Sequence, residues 1–201
     1  AISTGFIVSQ EQTQMVTDFC RENSAKGVTV FTDPIMGDDG RLYNGMSEET
    51  VELMRKLVSV ADYIVPNYTE ACYLTGTAYE VEGVSEEAYH KMIDALRTLG
   101  AKSVVITSAV VKDSDKKSVV GYDHKEGKYF RIDFEEIPVR FPGTGDIFSA
   151  VFMAKILAGE NLHNATQKAM DAVRTMIAEN TENVDKFKGI PLETCLEVLD
   201  R

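Results

Sequence analysis

The sequence predicts an α/β fold with a mostly parallel central sheet, and three observations carry that expectation. Short β-branched runs alternate with amphipathic helical segments along most of the chain. The strand-like runs end in residues able to do chemistry. The alternation breaks once, where residues 118–122 and 128–134 flank a turn and read as an antiparallel hairpin in the C-terminal half. Strands that alternate with helices build parallel βαβ units with helices on both faces. In such sheets ligands bind beyond the carboxyl ends of the strands.

The elements follow in order. Ala1-Ile2-Ser3 is a short strand-like piece. Ser9 and Gln12 have capping-box spacing, and Met15, Val16, Phe19 and Cys20 follow at helical intervals until Gly27. Val28–Thr32 is a β-branched strand closed by Asp33-Pro34. Ser47 caps a helix with Val51, Met54, Leu57 and Val58 on one face. Tyr63–Val65 is a strand ending at Pro66-Asn67, and a helix runs from about Thr69 to Gly76. Ser85 opens the next helix, carrying Ala88, Met92, Leu96 and Leu99 before Gly100. Ser103–Thr107 is a buried-type strand, the hairpin follows with its turn at 124–127, and helices are expected over 143–158, 162–180 and 191–200. No linker or repeat interrupts 1–201, so a single domain is expected.

Composition narrows the function. With 44% hydrophobic and 26% charged residues the chain is of globular type. A formal charge of −11 argues against nucleic acid or an anionic membrane as partner, since both need basic surface. It leaves room for an anionic nucleotide, because backbone amides can cradle phosphate whatever the net charge. Cys20, Cys72 and Cys195 are scattered and lack metal or redox spacing, which points to a reducing cytoplasm. No run is long enough for a transmembrane helix, and no signal peptide is visible.

Pro142-Gly143-Thr144-Gly145-Asp146 is the most informative stretch. Two glycines let the backbone turn tightly before an apolar helix, gathering N–H groups at its positive end. An acid there could accept a proton from an attacking hydroxyl while the amides hold a phosphoryl group. The same residues also suit a plain turn with Thr144 or Asp146 as cap. Asp33 and Asp38 lie five positions apart around a turn and could hold a hydrated Mg2+, or form a solvated acidic loop. Asn67 and Glu70 offer an amide and a carboxylate to the same rim; a first-turn acid such as Glu70 also suits the helix dipole. Thr107 and Ser108 end a third strand. Walker-type and dinucleotide glycine motifs, nucleophile elbows and zinc spacings are absent from the sequence.

In this order the pieces resemble the ribokinase-like superfamily, most closely its pyridoxal kinase branch. The matching stretches are Ser3-Thr4-Gly5-Phe6, Asp33-Pro34-Ile35-Met36-Gly37-Asp38 with Gly40 and Tyr43, Pro66-Asn67 through Glu70, Val105–Ser108, and Gly143–Asp146. The resemblance implies a three-layer α/β/α sandwich and transfer of phosphate from ATP to the 5′-hydroxymethyl group of pyridoxal, pyridoxine or pyridoxamine. Asp146 then matches the catalytic base, also touching substrate, and Gly143, Thr144 and Gly145 match the anion hole. Asp33, Asp38 and Glu70 match the metal-side acids. Asn67, Glu70, Thr107 and Ser108 match the phosphate and nucleotide side. Tyr43, with the Asp39–Gly40 turn, matches the flexible lid over ATP; Phe141, Val173 and Met176 match the adenine pocket, and Phe6 the substrate pocket. ATP and Mg2+ are the implied cofactors, with a monovalent cation such as K+ as a further candidate, and a homodimer is the implied assembly.

Three departures stand out. Val65 and Phe6 occupy positions where relatives often carry Thr and Tyr, each losing a hydroxyl. The family's N-terminal strands, which supply much of the pyridine pocket, are expected to be missing before Ser3. The alternatives are hydroxymethylpyrimidine (phosphate) kinase, a relative with similar motifs, and a nucleotide-binding fragment without turnover.

Overall fold

The computed structural model describes residues 1–200. It consists of two compact units, Ala1–Phe134 and Glu135–Arg201.

The first unit runs β1 (Ile2–Thr4), α1 (Gln10–Ser24), β2 (Val30–Thr32), β3 (Gly37–Asp38), β4 (Arg41–Leu42), α2 (Glu48–Val58), β5 (Tyr63–Ile64), α3 (Tyr68–Thr75), α4 (Glu86–Thr98), β6 (Ser103–Val110), β7 (Lys117–Asp123) and β8 (Lys128–Phe134). Six strands form one sheet in the order β1-β2-β5-β6-β7-β8; β3 and β4 form a separate two-stranded hairpin. The first four strands of the sheet are parallel, with Thr4 opposite Thr32 and Ile64 opposite both Thr32 and Val104. The β6–β7 and β7–β8 pairs are antiparallel. The expected mixed α/β fold with a C-terminal-half hairpin is therefore what forms.

Local chemistry accounts for the helix boundaries. Ser9 accepts the Gln12 N–H (3.1 Å), Ser85 the Ala88 N–H (3.2 Å), and the Ser47 N–H donates to Thr50 Oγ1 (3.2 Å). Gly76 ends α3 with φ +70°, a left-handed C-cap that glycine adopts without penalty. The core joins sheet and helices: Val30, Ile64, Val104 and Ile106 pack with Met54, Leu57, Leu74, Ile93 and Leu96, all fully or almost fully buried.

The second unit holds α5 (Thr144–Leu157), α6 (Leu162–Glu179) and three short 3-10 turns, Lys186–Lys188, Leu192–Thr194 and Leu196–Asp200. Asn161 caps α6 by accepting the Asn164 N–H (2.8 Å). Phe148 and Phe152, one turn apart on α5, stack with ring centroids 6.1 Å apart.

Three local expectations are revised. The segment 191–200 forms two 3-10 turns instead of an α-helix, as suits a stretch too short to nucleate one in isolation. On α1 the expected apolar face is split: Cys20 is buried in the core and Val16 packs against it beside buried Thr13 and Thr17, while Met15 and Phe19 are 66% and 57% exposed. The β3–β4 hairpin is additional, because strands of two residues carry no readable periodicity.

Candidate functional site

The chemistry-bearing residues of the first unit collect at the carboxyl ends of its parallel strands. Asp33 follows β2 and its N–H donates to the Thr4 carbonyl (2.9 Å), joining the ends of β1 and β2. Asn67 follows β5 and forms a parallel bridge with Thr107, whose N–H donates to the Pro66 carbonyl (2.9 Å). Asp33, Asn67 and Thr107 thus lie along one rim. However, β6 runs on to Val110, so Thr107 and Ser108 lie within that strand instead of ending it as the sequence suggested, because the irregularity between Ile106 and Ala109 does not stop its pairing with β7. Ser108 sits at a register shift in β6 with φ +53°. A side-chain-bearing residue in that left-handed region costs about 1–2 kcal/mol.

The first turn of α3 is closed by its own side chains. Asn67 Oδ1 accepts the Glu70 N–H (2.9 Å), and Glu70 Oε2 accepts the Asn67 N–H (2.8 Å), a reciprocal capping box. The remaining donor and acceptor reach further. Asn67 Nδ2 donates to the Gly37 carbonyl (2.8 Å), and Glu70 Oε1 accepts the Met36 N–H (3.0 Å). Glu70 is 3% exposed. Burial first, and the charge of Asp33 second, push its carboxyl up to about 8, against the pull of the amides it accepts from. Both Glu70 oxygens are engaged by backbone amides, so this carboxyl group holds the 33–40 loop onto α3.

Asp38 is exposed at the end of β3 and Asp33 is half-buried. Among the described residues no group of three or more acid, His or Cys side chains could hold a metal ion. Two carboxylates on a loop suit Mg2+, which keeps most of its waters and takes one or two protein oxygens beside phosphate. Tyr43 is 45% exposed, with its N–H donating to the Met36 carbonyl (2.9 Å). Phe6 is 60% exposed.

In the second unit Gly143 is the N-cap of α5 with φ +86°, and among the described residues no side chain caps this helix. The Thr144 hydroxyl turns back to the Phe141 carbonyl (3.3 Å) instead of closing the turn. The first-turn N–H groups of Thr144, Gly145 and Asp146 have no acceptor within the helix and point where the dipole is positive. Asp146 lies on the same turn; its Oδ2 is 3.9 Å from where a Cβ on Gly143 would stand. Phe141 and Met176 are 4% and 0% exposed and belong to the packed interior, while Val173 is half-buried. The open cavity on α6, about 380 Å³, is lined by Ile137, Arg174, Thr175, Ala178 and Glu179, adjacent to the positions the resemblance implied.

The family of phosphomethylpyrimidine kinases matches residues 1–191. This chain belongs to that family. Among similar solved structures is a Bacteroides thetaiotaomicron protein provisionally named a phosphomethylpyrimidine kinase, 33% identical, covering 100% of this chain and 69% of that one with a TM-score of 0.92. A second crystal form of that protein holds pyridoxal. Pyridoxal kinase from Leishmania donovani in complex with ADP and pyridoxamine is 28% identical, with a TM-score of 0.79 over 99% of this chain and 70% of that one. Pyridoxal kinase from Arabidopsis thaliana is 30% identical over 177 residues, 85% of this chain and 55% of that one. The chain spans about half the length of the curated relatives it matches. The family member's fold is accordingly ribokinase-like.

Residues that sequence reasoning passed over are Thr69, Tyr73 and Tyr79, which brace the β3–β4 hairpin. Their signal was indirect, the Asp39-Gly40 pair that marks a tight hairpin needing support.

Proposed function

We propose that this family member phosphorylates the 5′-hydroxymethyl group of a B6 vitamer with ATP, as a pyridoxal kinase. The observation that carries the reading is the uncapped N-terminus of α5 with Asp146 in its first turn. A helix that leaves its leading amides without a side-chain acceptor is built to receive an anion. An acid on that turn is placed to take the proton of the attacking alcohol. The pyridoxal-bound and pyridoxamine-bound neighbours support the vitamer over a pyrimidine.

Phosphoryl transfer has a loose transition state, so positioning and charge neutralisation matter more than base strength. Asp146 orients the hydroxyl and takes its proton late, once the oxygen has become acidic. The Gly143–Asp146 amides hold the migrating phosphoryl oxygens. Thr107 and Ser108 face the nucleotide phosphates, Tyr43 covers them, and Asn67, expected on the same side, closes α3. Asp33 and Asp38 are the residues that would hold Mg2+, and the ion would supply neutralisation of the phosphate charge. Glu70 keeps their loop in place. Both units serve one kinase domain over 1–201, and the reading includes a homodimer and a cytoplasmic location. Three free cysteines, all buried, are compatible with a reducing compartment, and among the described residues no helix is long and apolar enough to cross a membrane.

The test is ATP turnover with pyridoxal, pyridoxine, pyridoxamine and hydroxymethylpyrimidine, run on the 201-residue chain and on any longer form its gene encodes. Turnover with a B6 vitamer is expected; a clear preference for the pyrimidine in both forms would overturn the assignment.

A further inference from the structure

The β3–β4 hairpin pairs only two residues on each side, too few to hold itself in water. Its loop is Asp39-Gly40, with φ of 49° and 75°, the positive pair that a tight two-residue hairpin turn requires. The support comes from α3 and the segment after it. The Gly40 N–H donates to Thr69 Oγ1 (2.9 Å), and Thr69 is 2% exposed. The Gly40 carbonyl accepts from the Tyr73 hydroxyl at 3.5 Å. The Tyr79 ring lies against the Gly40 α-carbon so closely that a Cβ there would come within 2.6 Å of it. One turn residue is therefore held at its donor, its acceptor and its α-carbon. Past Leu42 the support thins: Asn44 and Gly45 are exposed, and a Cβ on Gly45 would meet nothing within 4 Å.

We infer that Thr69, backed by Tyr79, is a positioning residue that fixes the Asp38–Gly40 turn onto α3 and so presents the Asp38 carboxylate to the metal of MgATP. The inference rests on the kinase reading for the role of Asp38. It changes the expected lid: the Asp39–Gly40 turn is anchorage. Thr69 acts through the turn and touches no reacting atom.

The experiment compares Thr69→Val, which keeps shape and removes the acceptor, with Thr69→Ser, which restores it. Calorimetric titration reads MgATP and metal-free ATP affinity, and hydrogen exchange reads the Gly40 amide. In Thr69→Val, Gly40 exchange should accelerate and MgATP affinity should fall about 3–10-fold, the loss of one hydrogen bond, with metal-free ATP binding unchanged. Thr69→Ser should recover both. Tyr79→Leu, which removes the ring and spares the hydrogen bond, should weaken MgATP less, in the same direction. Faster Gly40 exchange with unaltered MgATP affinity would overturn the positioning role, and unaltered exchange would overturn the fastening itself. If the unsubstituted chain binds no MgATP, the kinase reading fails and takes the metal half of the inference with it; Gly40 exchange still decides whether Thr69 holds the turn.

Discussion

Two helix N-termini in this chain are built in opposite ways. That of α3 is closed: Asn67 and Glu70 cap each other's backbone, and their spare atoms reach out to Met36 and Gly37. That of α5 is open: its N-cap is a left-handed glycine, its threonine hydroxyl faces backward, and among the described residues no side chain accepts its leading amides. A capped end has satisfied its donors and serves as scaffold. An uncapped one retains donors and positive potential for a ligand. The contrast divides the candidate residues by role. Glu70 carries a carboxyl group but holds a loop, whereas Asp146 carries one beside amides that are unclaimed among the described residues.

Substitutions can break this contrast at several strengths. The largest expected effect is Asp146→Asn, which keeps shape and removes the base; steady-state turnover should fall about 10²–10⁴-fold with little change in MgATP affinity. Near-normal turnover would remove Asp146 from the chemistry. Next is Glu70→Ala, which leaves the Met36 and Asn67 N–H groups without their side-chain acceptor. Urea unfolding should show a loss of about 1–3 kcal/mol, while the corresponding change at Asp146 leaves stability nearly untouched. Gly143→Ala places a side chain at φ +86° and should cost about 1–2 kcal/mol along with turnover, although nothing closer than 3.9 Å crowds the new methyl.

The smallest is a pH effect. Glu70 in the folded chain keeps its proton up to about 8, against an ordinary 4.5, so the folded state binds the proton more tightly than the unfolded one. Its contribution to stability is full below about 4.5 and is lost as pH rises through about 8. Unfolding midpoints across that range should slope downward in the parent and flatten in Glu70→Gln. An unchanged slope in the variant would assign the effect to other groups.

The sheet, its hairpin and the strand ends at Asp33 and Asn67 were legible because they rest on β-branched runs, caps and glycines that act locally; that β6 runs past Thr107 and Ser108 to Val110 was not. The 191–200 segment misled because Leu192, Cys195 and Leu199 have helical spacing without the length to sustain an α-helix. Met15 and Phe19 misled because apolar spacing marks a face without saying which way it turns. Glu70 was legible as a first-turn acid, but its hold on Met36 was not, since residues 34 apart meet only through the fold. The same applies to Thr69 and Gly40.

The central claim, that α5 is open for phosphate while α3 is closed by itself, is tested most directly by amide NMR during titration with MgATP. The account predicts large shifts and slowed exchange at Gly143, Thr144, Gly145 and Asp146, with the Thr69 and Glu70 amides changing little. Strong perturbation of the α3 amides with the Gly143–Asp146 amides unmoved would contradict it.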